Sequence, residues 1–141
     1  MKKILIVNAN YYNEITNKLV NASKKTIKSK KFKVFLVNVP GIFEVPIIIR
    51  KNIKKYDGFI AIGCVIKGET PHFNLICNTS FDAIMKLSIE YSKPIGNGII
   101  TALNKRQAFQ RCGILKSNKN NKGIEAAKAV IAILNNGTKK I

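Results

Sequence analysis

The sequence has few of the residues that mark secreted, membrane or metal-binding proteins. Its 141 residues include three cysteines and one histidine, without a CxxC pair, so we expect reduced structural cysteines and no zinc site. No run of about 18 uncharged apolar residues occurs, which excludes a membrane-spanning helix. The apolar run Ile4–Val7 is too short for a secretory signal, so we expect a cytoplasmic protein.

Acidic residues are also scarce. Seven carboxylates face 25 basic residues, and the net charge is +18, a value that is typical of nucleic-acid-binding proteins. However, only Arg50, Arg106 and Arg111 are arginines, and the lysines are spread along the whole chain. Because Lys, Asn and Ile share A/T-rich codons, compositional drift explains this basicity as well as selection for nucleic-acid binding does, and we expect no nucleic-acid partner. A basic flavin- or nucleotide-binding module, or a nucleic-acid binder, is the non-enzymatic alternative.

Apolar runs alternate with helical periodicity along one chain of single-domain length, residues 1–141. The pattern predicts strands at Lys2–Val7, Lys33–Val39, Phe59–Ile66 and Pro94–Thr101. The intervening helices include one over Glu44–Ile53, and a long one that begins with Thr70 as N-cap and Pro71 as first residue. This order predicts an α/β three-layer sandwich with a four-stranded parallel sheet, flavodoxin-like in architecture.

Ligands of such sheets bind beyond the carboxyl ends of the strands. His72 follows the third predicted strand in the first turn of a helix, where an imidazole can transfer protons near neutral pH; a solvated or capping histidine is the alternative. Glu44 follows the second strand. It is either a carboxylate that favours a helix N-terminus or an acceptor of hydroxyl protons from a polyol.

Motifs along nearly the whole chain carry a resemblance to a known family. They are PGIFEVP (residues 40–46), YDGFIAIGCVIKGETPHF (56–73), IGNGIIT (95–101), QAFQR (107–111) and NKGIEAA (121–127). In order and spacing they resemble the 6,7-dimethyl-8-ribityllumazine synthase family. The resemblance implies a transferase of riboflavin biosynthesis that condenses 5-amino-6-(D-ribitylamino)uracil with 3,4-dihydroxy-2-butanone 4-phosphate. It releases phosphate and water and uses no metal or organic cofactor.

The resemblance also implies roles for individual residues. His72 matches the proton-transfer histidine, Arg111 the phosphate-binding arginine, and Lys122 the basic residue that supports it. The substrate-binding positions of the family fall on Tyr11, Ile42, Phe43, Glu44, Cys64, Val65, Ile66, Glu69, Thr70 and Asn97.

Some positions depart from the common family pattern. Asn10 stands where an arginine is frequent, and Asn97 where an aromatic ring is frequent, although one branch of the family carries the same asparagine. The ring that packs on the pyrimidine falls on Tyr11, with Tyr12 as the alternative. A sister enzyme of the same fold, the archaeal-type riboflavin synthase, is the alternative activity; Arg111, Lys122 and His72 favour the lumazine synthase.

Finally, the resemblance implies a homopentamer with active sites between subunits. Asn97, Arg111 and Lys122 would reach the pocket whose His72 and Glu44 belong to the adjacent chain. Some members pack such rings into shells through an N-terminal extension and a short turn between the last two helices. This chain enters its first strand almost at once, and residues 112–121 form a long connection rich in Lys and Asn. We therefore expect isolated pentamers, with paired pentamers as the alternative.

Overall fold

A four-stranded parallel sheet is covered by helices on both faces, in a computed structural model that describes residues 1–28, 32–114 and 121–141. The strands are β1 (Lys3–Ala9), β2 (Lys33–Val39), β3 (Gly58–Ile66) and β4 (Ile95–Ala102). The helices are α1 (Asn13–Lys28), α2 (Val45–Lys51), α3 (His72–Tyr91), α4 (Lys105–Cys112) and α5 (Lys122–Leu134). The predicted three-layer α/β sandwich of flavodoxin-like type is confirmed.

The strand order β2-β1-β3-β4 places β1 and β3 at the centre of the sheet. Ile6 of β1 pairs with Leu36 of β2 on one side and with Ile60 of β3 on the other. Since all pairs are parallel, the carboxyl ends of the four strands lie along one edge. The connections that leave this edge carry most of the candidate site residues.

The two faces of the sheet have separate cores. We call the side covered by α1, α4 and α5 the closed face; from β1 it receives Ile4 and Ile6. The opposite side, covered by α2 and α3, receives Leu5, Val7 and Ala9 and is called the open face. The name refers to large hydrophobic side chains that α2, α3 and the preceding turn leave exposed, namely Phe43, Ile47, Leu75, Met85 and Ile89.

On the closed face α5 packs backbone against backbone. A Cβ on Gly123 would lie 2.4 Å from the carbonyl oxygen of Leu19 in α1, so only glycine permits this approach. The buried Ser23 hydroxyl of α1 donates a hydrogen bond of 2.8 Å to the carbonyl oxygen of Gly123. These contacts fix the start of α5 against the middle of α1.

Two predicted element boundaries are wrong. A 3₁₀ turn over Ile42–Glu44 already includes the first residue of the predicted helix, so α2 begins at Val45 rather than Glu44, and it ends at Lys51 rather than Ile53. Thr70 is not the N-cap of α3: Pro71 holds that position and His72 is the first helical residue. The Thr70 hydroxyl instead accepts a hydrogen bond from the His72 amide at 3.4 Å, within a local turn.

Strand limits also differ from the predicted ones by one or two residues. The first strand runs two residues beyond the predicted end, to Ala9, and the fourth is shifted by one residue, to Ile95–Ala102. Of the helices described, none combines the length and apolar character needed to cross a bilayer.

Candidate active site

A cavity of about 360 Å³ lies at the carboxyl ends of β1 and β3. Three chain segments enclose it: the turn after β1, the connection between β2 and α2, and the end of β3 with the start of α3. The cavity brings together, from the residues predicted for the site, Tyr11, Ile42, Phe43, Cys64, Val65, Ile66 and His72. Its volume falls in the range of small-molecule sites, and its lining is mainly apolar, as is usual for them.

The turn after β1 presents two adjacent tyrosines. Tyr11 is 77% exposed, whereas Tyr12 is half-buried and packs against the core of the closed face. Their rings meet edge to face, with centroids 4.9 Å apart and planes at 89°. The Asn10 amide donates to the carbonyl oxygen of Val39 at 3.1 Å, which ties this turn to the end of β2. Both tyrosines line the cavity, and Tyr11 is the more exposed of the two.

In the connection from β2 to α2, two consecutive side chains that line the cavity differ strongly in burial. Ile42 is buried in the open-face core and Phe43 is 72% exposed at the cavity. Ile42 fits because its neighbour on β3 is Gly63, where a Cβ would lie 2.1 Å from the Ile42 Cδ1 atom. Glu44 is half-buried at the N-cap of α2, makes no side-chain cap hydrogen bond and does not line the cavity.

The end of β3 and the start of α3 supply the other wall. Cys64, Val65 and Ile66 follow one another along the strand, so its last backbone groups border the cavity. Burial, with the nearby Cys112 adding, raises the pKa of the Cys64 thiol to about 12. The thiol is therefore neutral at physiological pH and serves as an apolar wall rather than as a nucleophile.

His72 is exposed at the first position of α3 and lines the cavity. In this position a ligand can reach the imidazole while the free amides of the first helical turn lie nearby. Glu69 and Thr70 lie in the exposed loop before the helix and do not line the cavity. The loop therefore borders the His72 side of the cavity without forming its wall.

The remaining predicted residues lie elsewhere on the chain. Asn97 lines a separate cavity of about 180 Å³ between β4 and α3, and its side-chain oxygen accepts a hydrogen bond of 3.0 Å from the Ile99 amide. Arg111 is exposed near the end of α4, and its guanidinium donates to the Gln107 carbonyl oxygen at 3.1 Å. Lys122 is the first residue of α5. Within one chain none of the three lines the His72 cavity.

Some residues that line the cavity were not predicted from the sequence. They are Ala9, Gly41 and Ile76, together with Tyr12, which the sequence offered only as an alternative to Tyr11. Ile76 could have been found, because residues four apart share one face of a helix and His72 is the site residue of α3. Ala9 carried no signal of its own beyond its place at the end of a strand.

Among residues 1–28, 32–114 and 121–141, no group of three or more His, Cys, Asp or Glu side chains is arranged to hold a metal ion. The free cysteines Cys64, Cys77 and Cys112 are buried or half-buried.

Comparison with known proteins places the chain among lumazine synthases. Residues 1–137 match the family model for 6,7-dimethyl-8-ribityllumazine synthase. The chain is 40% identical over 135 residues to the 6,7-dimethyl-8-ribityllumazine synthase of Bartonella henselae, covering 93% of this chain and 85% of that protein. It is 40% identical over 136 residues to that of Novosphingobium aromaticivorans, covering 95% of each. It is 33% identical over 129 residues to that of Corynebacterium kroppenstedtii, covering 92% and 80%.

Proposed function

This chain belongs to the 6,7-dimethyl-8-ribityllumazine synthase family, a transferase family of riboflavin biosynthesis, and from that premise we propose its substrates, its site and its assembly. The substrates are 5-amino-6-(D-ribitylamino)uracil and 3,4-dihydroxy-2-butanone 4-phosphate. The 5-amino group adds to the ketone, and a first water leaves to give an imine. Phosphate then leaves, the ribitylamino nitrogen attacks the remaining carbonyl carbon, and a second water leaves as the second ring closes to form the lumazine.

The observation that carries this proposal is the convergence of two motif segments and the turn after β1 on one cavity. Residues from the motifs at 40–46 and 56–73 and from the turn after β1 surround a volume of about 360 Å³. A flat pyrimidine needs apolar walls on its faces and hydrogen-bonding groups at its edges. The exposed ring of Tyr11 provides the first, and the backbone at Cys64, Val65 and Ile66 provides the second.

His72 is the proposed proton-transfer residue. Amine addition, dehydration and ring closure each require a proton to move, so one imidazole beside the reacting atoms serves several steps. Its exposure at the cavity and its place in the first turn of α3 support this role. Because holding two substrates in register supplies much of the acceleration, we expect His72 to modulate the rate rather than to account for all of it.

The ribityl chain and the phosphate are assigned to polar residues at the rim. Glu44 is proposed to accept hydrogen bonds from ribityl hydroxyls, with Ile42 and Phe43 packing beside them. Glu69 and Thr70 lie next to the phosphate in this proposal. Arg111 binds the phosphate through its planar fork of donors, with Lys122 supporting it, because a guanidinium matches phosphate geometry better than an ammonium does.

A pentamer explains why Arg111, Lys122 and Asn97 lie away from the His72 cavity of their own chain. We propose that they complete the cavity of the adjacent subunit. The exposed apolar side chains of the open face support assembly, since monomers rarely leave large apolar patches in contact with water. The 180 Å³ cavity at Asn97 adjoins the same helix, α3, and would meet a neighbouring chain there.

Mass photometry in moderate salt tests the assembly. A mass near five chains supports the pentamer, and a mass near ten chains supports the paired-pentamer alternative. Particles near sixty chains, or a fully active monomer, would contradict the proposal. The expectation that rings stay separate depended in part on the connection between Arg111 and Lys122, most of which, residues 115–120, falls outside the described residues.

The reaction itself is tested by incubating the protein with both substrates and following the lumazine chromophore and released phosphate. Equal amounts of lumazine and phosphate, at a rate well above that of the heated protein, are expected. His72→Ala should lower kcat about 10-fold or more with little change in the KM for the uracil substrate. Arg111→Ala should mainly raise the KM for the phosphorylated ketone.

Arg106→Ala is the matched control for Arg111→Ala, because Arg106 is an exposed arginine of the same helix that has no proposed contact with substrate. Wild-type kinetics in both His72→Ala and Arg111→Ala would overturn the assigned roles.

A further inference from the structure

The two tyrosines after β1 differ in a way that assigns them different tasks. Tyr11 is exposed at the cavity and Tyr12 is half-buried behind it, packed against the closed-face core. Both side chains line the same cavity. An exposed ring on a turn has several rotamers available, and its usefulness to a flat ligand depends on how many of them it must give up on binding.

The backbone of Tyr12 is held firmly in place. Its carbonyl oxygen accepts hydrogen bonds from the amides of Ile15 at 3.0 Å and Thr16 at 2.9 Å, which close the first turn of α1. One residue before Tyr11, the Asn10 amide is bound to Val39 of β2. The turn is therefore anchored on both sides of Tyr11, and Tyr12 is the anchored residue that touches the Tyr11 ring.

The ring contact has the geometry of a favourable aromatic pair. The centroids are 4.9 Å apart and the planes are perpendicular, at 89°, which sets the positive edge of one ring against the negative face of the other. Such a contact favours one orientation of the Tyr11 ring over the alternatives. It therefore lowers the ordering cost that a stacked ligand would otherwise meet.

The Tyr12 hydroxyl is not suited to proton transfer. Burial, with smaller additions from Tyr11 and Cys64, raises the pKa of this phenol above its ordinary value of 10.0. The group stays neutral through the physiological range. The contribution of Tyr12 to the cavity is therefore its ring rather than its acidity.

We propose that Tyr12 is a positioning residue, whose half-buried ring holds the exposed ring of Tyr11 edge to face in the orientation that packs on the pyrimidine substrate. This inference rests on the proposed function, because it takes the pyrimidine as the ligand of Tyr11. It predicts that Tyr12 acts on substrate affinity through Tyr11 and leaves the chemical steps alone.

A double-mutant cycle on steady-state kinetics tests the proposal, with 5-amino-6-(D-ribitylamino)uracil as the varied substrate. Tyr12→Leu should raise its KM about 3- to 10-fold, the factor expected from loss of an aromatic pair, and should change kcat less than about 2-fold. In the Tyr11→Ala background the same change should alter KM by less than about 2-fold, since the ring it positions is gone. Tyr12→Phe keeps the ring and should restore most of the affinity lost in Tyr12→Leu.

Phe35→Leu is the control for loss of an aromatic pair outside the cavity. Phe35 of β2 packs edge to face against the Tyr56 ring, with ring centroids 5.4 Å apart. Its replacement should leave the KM for the uracil substrate unchanged. If Tyr12→Leu does not fold, Tyr12→Met replaces it, because a flexible thioether fills irregular volumes.

Additive effects of Tyr11→Ala and Tyr12→Leu on KM, an unchanged KM in Tyr12→Leu, or a loss confined to kcat would each overturn the role of Tyr12. A wild-type protein that forms no lumazine would instead contradict the proposed substrates. The two failures are therefore distinguishable in one set of measurements.

Discussion

The closed and open faces of the sheet differ in how much large hydrophobic surface their covering helices leave exposed. On the closed face α1, α4 and α5 cover the sheet, and Ile133 is the large hydrophobic side chain of those helices that is exposed within the described residues. On the open face α2 and α3 cover the sheet but present Ile47, Leu75, Met85 and Ile89 to solvent. The helices of the closed face expose little large apolar surface, whereas the outer surface of α2 and α3 has the composition of an interface.

The largest effect is expected from charges on the open face. The double variant Met85→Glu/Ile89→Glu places two carboxylates one helical turn apart on exposed positions of α3. If each side chain is buried on assembly, its loss costs about 1.5–3 kcal/mol. Association should therefore weaken by roughly 10²-fold or more, and lumazine formation should fall with it. Mass photometry and activity assays measure both.

Ile133→Glu on α5 is the matched control, an exposed isoleucine of the closed face, and it should leave mass and activity unchanged. A double variant that remains assembled and active would contradict the distinction between the faces.

A smaller effect, on the free energy of unfolding, is expected when the contact between α5 and α1 on the closed face is disrupted. In Gly123→Ala the new Cβ would lie 2.4 Å from the Leu19 carbonyl oxygen, so the two helices must separate. The free energy of unfolding should fall by about 3 kcal/mol, measured by urea denaturation. Gly137→Ala, where nothing lies within 4 Å of the added atom, should be close to wild type. Equal stabilities would show that the closed face is less tightly packed than its geometry indicates.

The next effect is a loss of stability when the hydrogen bonds that join the chain after α2 to the start of β4 are removed. The Lys93 ammonium donates to the carbonyl oxygens of Ile53 and of Tyr56, the latter at 2.8 Å, and so joins the chain after α2 to the start of β4. Lys93→Met removes both bonds and should cost about 2 kcal/mol of stability. Lys55→Met, at an exposed lysine of the same connection, should cost little. Thermal unfolding compares the two, and a similar loss in both would assign the effect to charge alone.

The smallest effect is a pH dependence of the closed-face core at Cys64. The pKa of this thiol is raised from 9.0 to about 12 in the folded chain, so between these values the unfolded chain loses a proton that the folded chain keeps. Stability is therefore unaffected below about pH 9 and falls as the pH rises beyond it, by about 1.4 kcal/mol per pH unit. Urea denaturation at pH 8 and pH 10 measures the fall.

Cys64→Ala should show a fall smaller by about 1.4 kcal/mol at pH 10. Other buried thiols and phenols contribute to both proteins, so the difference between them isolates Cys64. An identical pH dependence would indicate that water reaches this thiol.

Much of the fold was readable from the sequence because its strands are short apolar runs between clear turn residues. β2 occupies Lys33–Val39, the predicted range, and Ile15, Leu19 and Ile27, which recur at helical spacing in the sequence, are buried on one face of α1. The predicted cap of α3 was wrong because Thr70 and Pro71 fit two turn geometries, and sequence alone does not choose between them. Asn104, by contrast, precedes Gln107 by three residues, the spacing of a capping box, and it caps α4 by accepting from the Gln107 amide at 2.9 Å.

Part of the candidate site could likewise be predicted from the sequence, and part of it could not. Residues at the ends of strands in one chain, such as Tyr11, Cys64 and His72, come together because parallel strands end at one edge. Their convergence could be predicted from strand order. Arg111 lies outside the His72 cavity of its own chain, and the strand order of a single chain does not bring it to that cavity.

The packing of α5 on α1 also sets the order in which the chain can fold. Ser23 and Leu19 of α1 meet their partner Gly123 about a hundred positions later in the chain, and the Lys2 ammonium reaches the carbonyl oxygen of Leu134 at 2.8 Å. During synthesis β1, β2 and β3 can pair while the inner side of α1 is still without its cover. Contacts of such long sequence separation slow folding and expose apolar surface to other nascent chains. The closed face, the more completely covered of the two in the folded protein, can therefore be completed only after α5 has been synthesised.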